Sequence, residues 1–149
     1  MMHRRTILAG LAFAATIPFV GVSHAESVFT GSTSGIAING YDPVGYFTMN
    51  KPVKGSSDHS VEHDGVKWQF ANAENKATFA ADPAKYAPKY GGHCAYAAAK
   101  GYKASTVPEA FSIVGGRLYL NYSLDVRKLW DANQANFIKS ADKNWPNVR

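Results

Sequence analysis

Cysteine is almost missing from this sequence: Cys94 is the only one in 149 residues. An internal disulfide is therefore excluded. The thiol is left to be free, to ligate a metal, or to join another molecule. The bland alternative is a buried, inert side chain, because free cysteine packs as a small hydrophobe. Charge of one sign is scarce too. Lys and Arg number 16 against 11 Asp and Glu, and no Lys/Arg cluster makes the basic stripe of a nucleic-acid binder. No apolar run reaches the ~20 residues that span a bilayer. Catalytic templates are absent as well: there is no nucleophile elbow, P-loop or dinucleotide glycine pattern. Asp42, Glu62, Asp64, Glu109 and Asp125 are scattered, so no carboxylate pair for acid–base work stands out. No low-complexity tract and no internal repeat is legible.

What is present begins with a leader-like segment. Arg4-Arg5 precedes the uncharged run Ile7–Val22, and Ser23-His24-Ala25 offers small residues where a signal peptidase reads. The expectation is a signal peptide over 1–25, cleaved after Ala25, by the general secretory or the twin-arginine route. It implies a periplasmic or secreted product with no membrane span after cleavage. The leader holds two of the basic residues and none of the acidic ones, leaving a mildly basic remainder. That remainder has a single-domain length, enough for one core. A hydrophobic share of 46% and an aromatic share of 13% mark a packed chain rather than a disordered one. An exported domain usually meets an oxidising compartment, where a lone thiol has consequences.

The remainder reads as hairpins and short helices. Residues 26–35 are Ser/Thr/Gly-rich and suggest a flexible lead-in. Ile36–Phe47 suggests a turn and a short extended piece. His59–Phe70 is the clearest hairpin, folded at Asp64-Gly65. Asn72 is placed to cap a helix through Ala81, with Ala73, Ala77, Phe79 or Ala80 inward. Asp82-Pro83 opens a further turn to Tyr86. Lys89–Gly92 reads as a loop and His93–Lys100 as a helix stopped by Gly101. A second hairpin folds at Gly115-Gly116. Ser123 is placed to cap a helix burying Val126, Leu129 and Trp130, and a last helix covers 134–142, with Trp145-Pro146 ending the fold. Without long parallel crossovers, this pattern predicts a small α+β domain.

The chemistry concentrates in Tyr90-Gly91-Gly92-His93-Cys94-Ala95-Tyr96. Gly91 and Gly92 allow unusual dihedrals or close approach. Cys94 falls in the first turn of the expected helix, where free N–H groups favour a negative charge. A thiolate there is a nucleophile and a metal ligand. His93 offers a donor or a second ligand. The bland reading keeps Gly91-Gly92 as a tight connection and Cys94 as packing. His59 and His63 share a strand face but stand roughly 13 Å apart at ~3.3 Å per residue. They cannot share one metal without a bend, and an exposed polar face accounts for them. Tyr41, Tyr46, Trp68, Tyr86, Tyr90, Phe111 and Trp130 suit a core better than a ligand cage.

Several segments together carry a resemblance. Tyr41-Asp42-Pro43-Val44-Gly45-Tyr46-Phe47, Trp68-Gln69-Phe70, the run Phe79–Tyr86, Tyr90–Tyr96, Gly116–Tyr122 and Asn144-Trp145-Pro146 resemble the YHS domain family, in its exported bacterial single-domain branch. The resemblance spans most of residues 36–149 and implies a small α+β domain that binds copper or another soft metal. Metal-type members carry cysteines where this chain has Gly45, Ala71 and Asn75. The exported branch has one Cys in the Tyr-Gly-Gly-x-Cys-Ala-Tyr segment, with selenocysteine in some relatives, which implies redox chemistry or soft-metal ligation.

Three expectations follow. In the first, Cys94 and His93 hold a copper-type ion, with Tyr90, Gly91, Gly92 and Tyr96 shaping the site and a metal donor or acceptor as partner. A second chain or Met49 would complete the ligand set. In the second, Cys94 is a redox thiol served by an external thiol partner. In the third, the domain has no reactive centre. All three favour a binding or redox module over an enzyme, with no nucleic-acid partner.

Overall fold

The computed structural model describes residues 14–18 and 27–148. The leader read over 1–25 lies outside the described residues except for 14–18, which carry no regular structure. The chain is a small α+β domain of two antiparallel hairpins and six short α-helices, as the pattern predicts.

Asp42 starts the first helix, α1 (Pro43–Met49). Its carboxylate accepts from the Val44 and Gly45 N–H groups, and Pro43 fills the first helical position. The extended piece expected up to Phe47 is therefore a helix, preceded by a tight turn over Ala37–Gly40. Gly45, Tyr46, Phe47 and Thr48 are weak helix formers. The cap and the burial of Val44 and Tyr46 outweigh that weakness. Strands β1 (Ser56–His63) and β2 (Val66–Phe70) pair antiparallel about Asp64-Gly65, with Val61 opposite Trp68. Both turn residues have positive φ, as this tight hairpin turn requires. The pairing shifts register between Ser56 and Ser60.

Asn72 caps α2 (Ala73–Ala81) through the Asn75 N–H at 2.8 Å. Only Phe79 is buried there; Ala73, Ala77 and Ala80 face outward. Helix α3 (Pro83–Tyr86) follows directly, capped by Asp82. Helix α4 (Ala95–Lys100) stops at Gly101, whose φ of 93° is left-handed. Strands β3 (Phe111–Val114) and β4 (Arg117–Leu120) form the second hairpin. Ser123 caps α5 (Leu124–Asp131), which buries Trp130 but leaves Leu129 exposed, against expectation. Helix α6 (Gln134–Val148) continues past Asp142 and through Pro146. Buried Trp145 holds that final stretch onto the core.

Two apolar clusters meet at β4. Leu118 and Leu120 join Val44, Trp68, Phe70 and Phe79, whereas Tyr119 between them packs with Tyr90, Trp130 and Trp145. Strand alternation explains the split. Small residues Ala95 and Ala98 bring α4 close to α6, and the Asn144 carboxamide NH2 donates to the Ala98 and Ala99 carbonyls.

The element order repeats. A tight turn, a capped helix, a hairpin and two helices run from Ala37 to Tyr86 and again from Lys89 to Val148. Past the opening turns, equivalent residues match at one spacing. Asn72 and Ser123, Trp68 and Tyr119, and Phe79 and Trp130 each stand 51 positions apart. The Trp68–Phe79 ring pair lies at 5.3 Å and 31°, and its counterpart Tyr119–Trp130 at 5.1 Å and 38°. The sequence shows no such repeat, so this is a correction: the halves share backbone and aromatic pairs, not residue identities.

Candidate functional site

Two left-handed turns open the two halves, and residues 27–30 bind them together. Ile38, Asn39 and Gly40 have φ of 41°, 58° and 77°; Tyr90, Gly91 and Gly92 have 60°, 61° and 82°. The Phe29 N–H donates to the Gly91 carbonyl at 2.9 Å, and the Ile38 N–H donates to the Phe29 carbonyl at 2.8 Å. The segment expected as a loose lead-in is thus tied down, because Val28 and Phe29 carry the apolar anchors that its Ser/Gly content hides. A Cβ on Gly91 would sit 1.9 Å from the Ser27 carbonyl oxygen, and one on Gly92 would sit 2.5 Å from Ile38 Cγ2. Both uses of glycine hold here: positive φ and close approach.

Each turn delivers a polar side chain to the start of a helix. In the first half that residue is Asp42, fully buried. Its two oxygens accept from Val44 N–H (2.9 Å), Gly45 N–H (3.1 Å), Ala71 N–H (2.9 Å) and the Asn75 carboxamide (2.7 Å). Gly45, Ala71 and Asn75, far apart in sequence, thus converge on one carboxylate.

In the second half the equivalent residue is Cys94, 1% exposed. It is the N-cap of α4 rather than a residue of its first turn. Its N–H donates to the Ala104 carbonyl at 3.0 Å. Its Sγ accepts from the Ala97 N–H at 3.5 Å, and its S–H donates to the Asn121 Oδ1 at 3.5 Å. The same Asn121 oxygen takes the Tyr96 N–H at 3.1 Å, which fixes the carboxamide's orientation. Asn121 is fully buried, and its Nδ2 has no partner among the described residues. It follows β4, and its counterpart in the first half is Phe70. The sequence reading missed Asn121; a lone amide closing the Leu118–Leu120 strand was the available signal.

The sulfur also lines a pocket of about 240 Å³ with Tyr96, Tyr102, Ala104, Tyr122 and Val126. Tyr102 and Tyr122 are half-exposed at its mouth. Tyr96 packs against Phe137 with the rings tilted at 58°, and the Lys100 ammonium lies 5.3 Å over its ring.

His93 does not share these surroundings. Its backbone is extended, so its side chain and that of Cys94 project to different sides. The Nδ1–H donates to the Tyr90 carbonyl at 3.1 Å, and the ring packs on Phe29 and Trp145. Burial holds the imidazole pKa below its ordinary value; Lys103 acts the same way, and the Tyr90 carbonyl opposes both. Tyr90 faces the far side again, donating its hydroxyl to Asp142 at 2.9 Å. Burial and that bond raise its pKa well above the usual phenol value.

Among the described residues, no three or more His, Cys, Asp or Glu come together as a metal-holding group. The donor set around Sγ, an amide and a carboxamide, does not make a soft-metal site by itself. Met49 is exposed at the end of α1. His59 and His63 lie on β1 as expected, both half-buried rather than on an open polar face. His63 lies 3.3 Å from the Asp64 carboxylate and meets Phe79 edge to face. No described helix is long and apolar enough to cross a membrane. No family model, curated protein or solved structure matches the chain.

Proposed function

We propose that this chain is an exported, YHS-like thiol protein in which Cys94 is oxidised and then restored by an external thiol partner. The seat of the sulfur carries the reading. Sγ meets one backbone N–H and one fixed carboxamide, and Cys94, though only 1% exposed, is one of the residues lining an apolar pocket. The equivalent position in the first half holds a full carboxylate on backbone N–H groups. That parallel supports a helix-start seat whose N–H side faces the sulfur, while the Asn121 oxygen takes the S–H proton. The convergence of Gly45, Ala71 and Asn75 on Asp42 supports the family resemblance, since these are the positions where metal-type members carry cysteine.

The chemistry needs no second cysteine in the chain. The thiolate attacks a peroxide oxygen; the O–O bond breaks, sulfur loses two electrons, and the leaving alkoxide or hydroxide takes a proton. An external thiol then attacks the sulfenic sulfur, releasing water and forming a mixed disulfide. A second external thiol attacks the partner's sulfur and returns Cys94 as thiolate.

Trapping tests the reading. After brief peroxide treatment of the folded protein, dimedone should label Cys94 alone, and a small thiol added first should abolish the label. Asn121→Asp should slow the oxidation about tenfold or more, because a carboxylate beside Sγ disfavours the thiolate. No label, or oxidation equally fast in Asn121→Asp, would contradict the proposal.

Soft-metal binding by Cys94 and His93 is the second reading; since the two side chains project to different sides it requires the pair to rearrange or a second chain to add ligands, and one observation favours it. With its Nδ1–H given to a carbonyl, His93 keeps a lone pair on Nε2, the arrangement of many metal-bound histidines. Tight one-to-one Cu(I) binding lost in Cys94→Ser would establish this reading; weak binding equal in both proteins would remove it.

A further inference from the structure

A second cavity, independent of Cys94, lies between the tips of the two hairpins. It measures about 350 Å³, within the range of small-molecule sites. The hairpin turns contribute His63, Asp64 and Arg117; the junction between the halves contributes Pro88, Lys89 and Tyr90; α6 contributes Asp142, Trp145 and Pro146. Junctions between structural units are a common place for such sites.

The charges in this cleft are unevenly satisfied. Asp142 accepts the Tyr90 hydroxyl at 2.9 Å and pairs with the Lys89 ammonium at 3.3 Å, on the same oxygen. Asp64 has His63 at 3.3 Å. Arg117 alone lacks a counterion: its Nε is buried without a hydrogen-bond partner, and it forms no ion pair among the described residues. It acts electrostatically on Tyr90 and Tyr119, both kept neutral by burial and by Asp142. A guanidinium in a partly buried cleft is costly without an anion to meet its planar fork. The lining also has an apolar part: Trp145, Pro88, Pro146 and Ala87.

We propose that this cleft binds a small organic monoanion, with its carboxylate on Arg117 and its apolar body against Trp145 and the two prolines. Asp142 and Asp64 line the same cleft and select against dianions, whose second charge would meet a carboxylate. Recognition then needs both halves of the ligand, the charged head and the apolar body.

The test is an NMR titration of the protein with sodium benzoate, beside inorganic phosphate and succinate. Benzoate should give saturable shifts centred on Tyr90, Arg117, Asp142 and Trp145, weakened by added salt. Arg117→Gln should weaken binding about tenfold or more, and Arg117→Lys less, because the charge survives while the fork is lost. Should Arg117→Gln fail to fold, the shift map of the unmodified protein and the Arg117→Lys affinity decide. No saturable shift at millimolar benzoate, shifts centred elsewhere, or equal affinity in a folded Arg117→Gln would overturn the proposal. Phosphate or succinate binding as tightly as benzoate would overturn it too, because the apolar wall would then contribute nothing.

Discussion

Asp42 and Cys94 occupy matching places and show what a single residue decides. Asp42 answers four donors, of which the Val44 and Gly45 N–H groups are buried. Removing the carboxylate in Asp42→Ala leaves the buried Val44 N–H without its partner and undoes the link from α1 to Ala71 and Asn75. The expected loss is about 3–5 kcal/mol, read by urea unfolding. The Cys94 sulfur makes two hydrogen bonds among the described residues, both long for nitrogen or oxygen but ordinary for sulfur. The neighbouring His93 acts on stability through its proton. Its folded pKa is lowered by burial, so the unfolded chain binds the proton more readily. Stability from this group is present above the ordinary histidine value near 6.5 and lost as pH falls through that value toward the lower, folded one. Melting temperature should therefore drop between neutral pH and pH 5 by less in His93→Gln than in the unmodified protein. An equal drop in both would place the dependence elsewhere.

At the scale of elements, caps and tight turns were legible because each is a local contest between a few residues. Asp64-Gly65 and Gly115-Gly116 need only positive φ, and Asn72 and Ser123 need only a free N–H to receive. Helix α1 was hidden because its stability comes from Asp42 and from burial of Tyr46, neither of which periodicity reports. The C-terminal reach of α6 was hidden because Pro146 argues for a stop, while Trp145 packing keeps the helix going. The Tyr90–Gly92 turn is a further case where local and tertiary effects add. Gly91→Ala meets both a left-handed φ and the Ser27 carbonyl, whereas Gly101→Ala meets only the φ, with open space around it. The expected costs are about 2–4 kcal/mol for the first and about 1 for the second. Matched thermal or urea unfolding of the two variants checks the difference, and equal costs would show that Ser27 yields freely.

At the scale of the whole molecule, the repeat organises both sites. One half carries a saturated carboxylate and the other a lightly held thiol, and the cleft around Arg117 lies where the halves join. The repeat escaped the sequence because its matched residues differ in chemistry, Asp against Cys and Phe against Asn, and because the spacing slips from 52 at the turns to 51 beyond the hairpins. The Cys94 segment stood out in the sequence as a candidate; Asn121, 27 residues on, did not, since only the fold brings the two together.

The central claim is that Cys94 reacts from the folded state through its own pocket. The most direct measurement is the rate at which an aromatic disulfide such as 4,4′-dithiodipyridine modifies Cys94, followed across low urea concentrations beside the global unfolding rate. A reaction from the folded state predicts a rate proportional to reagent and nearly flat in urea below the unfolding transition. A rate that rises with urea in step with unfolding, and saturates at the unfolding rate when reagent is in excess, would contradict the claim and leave Cys94 as packing.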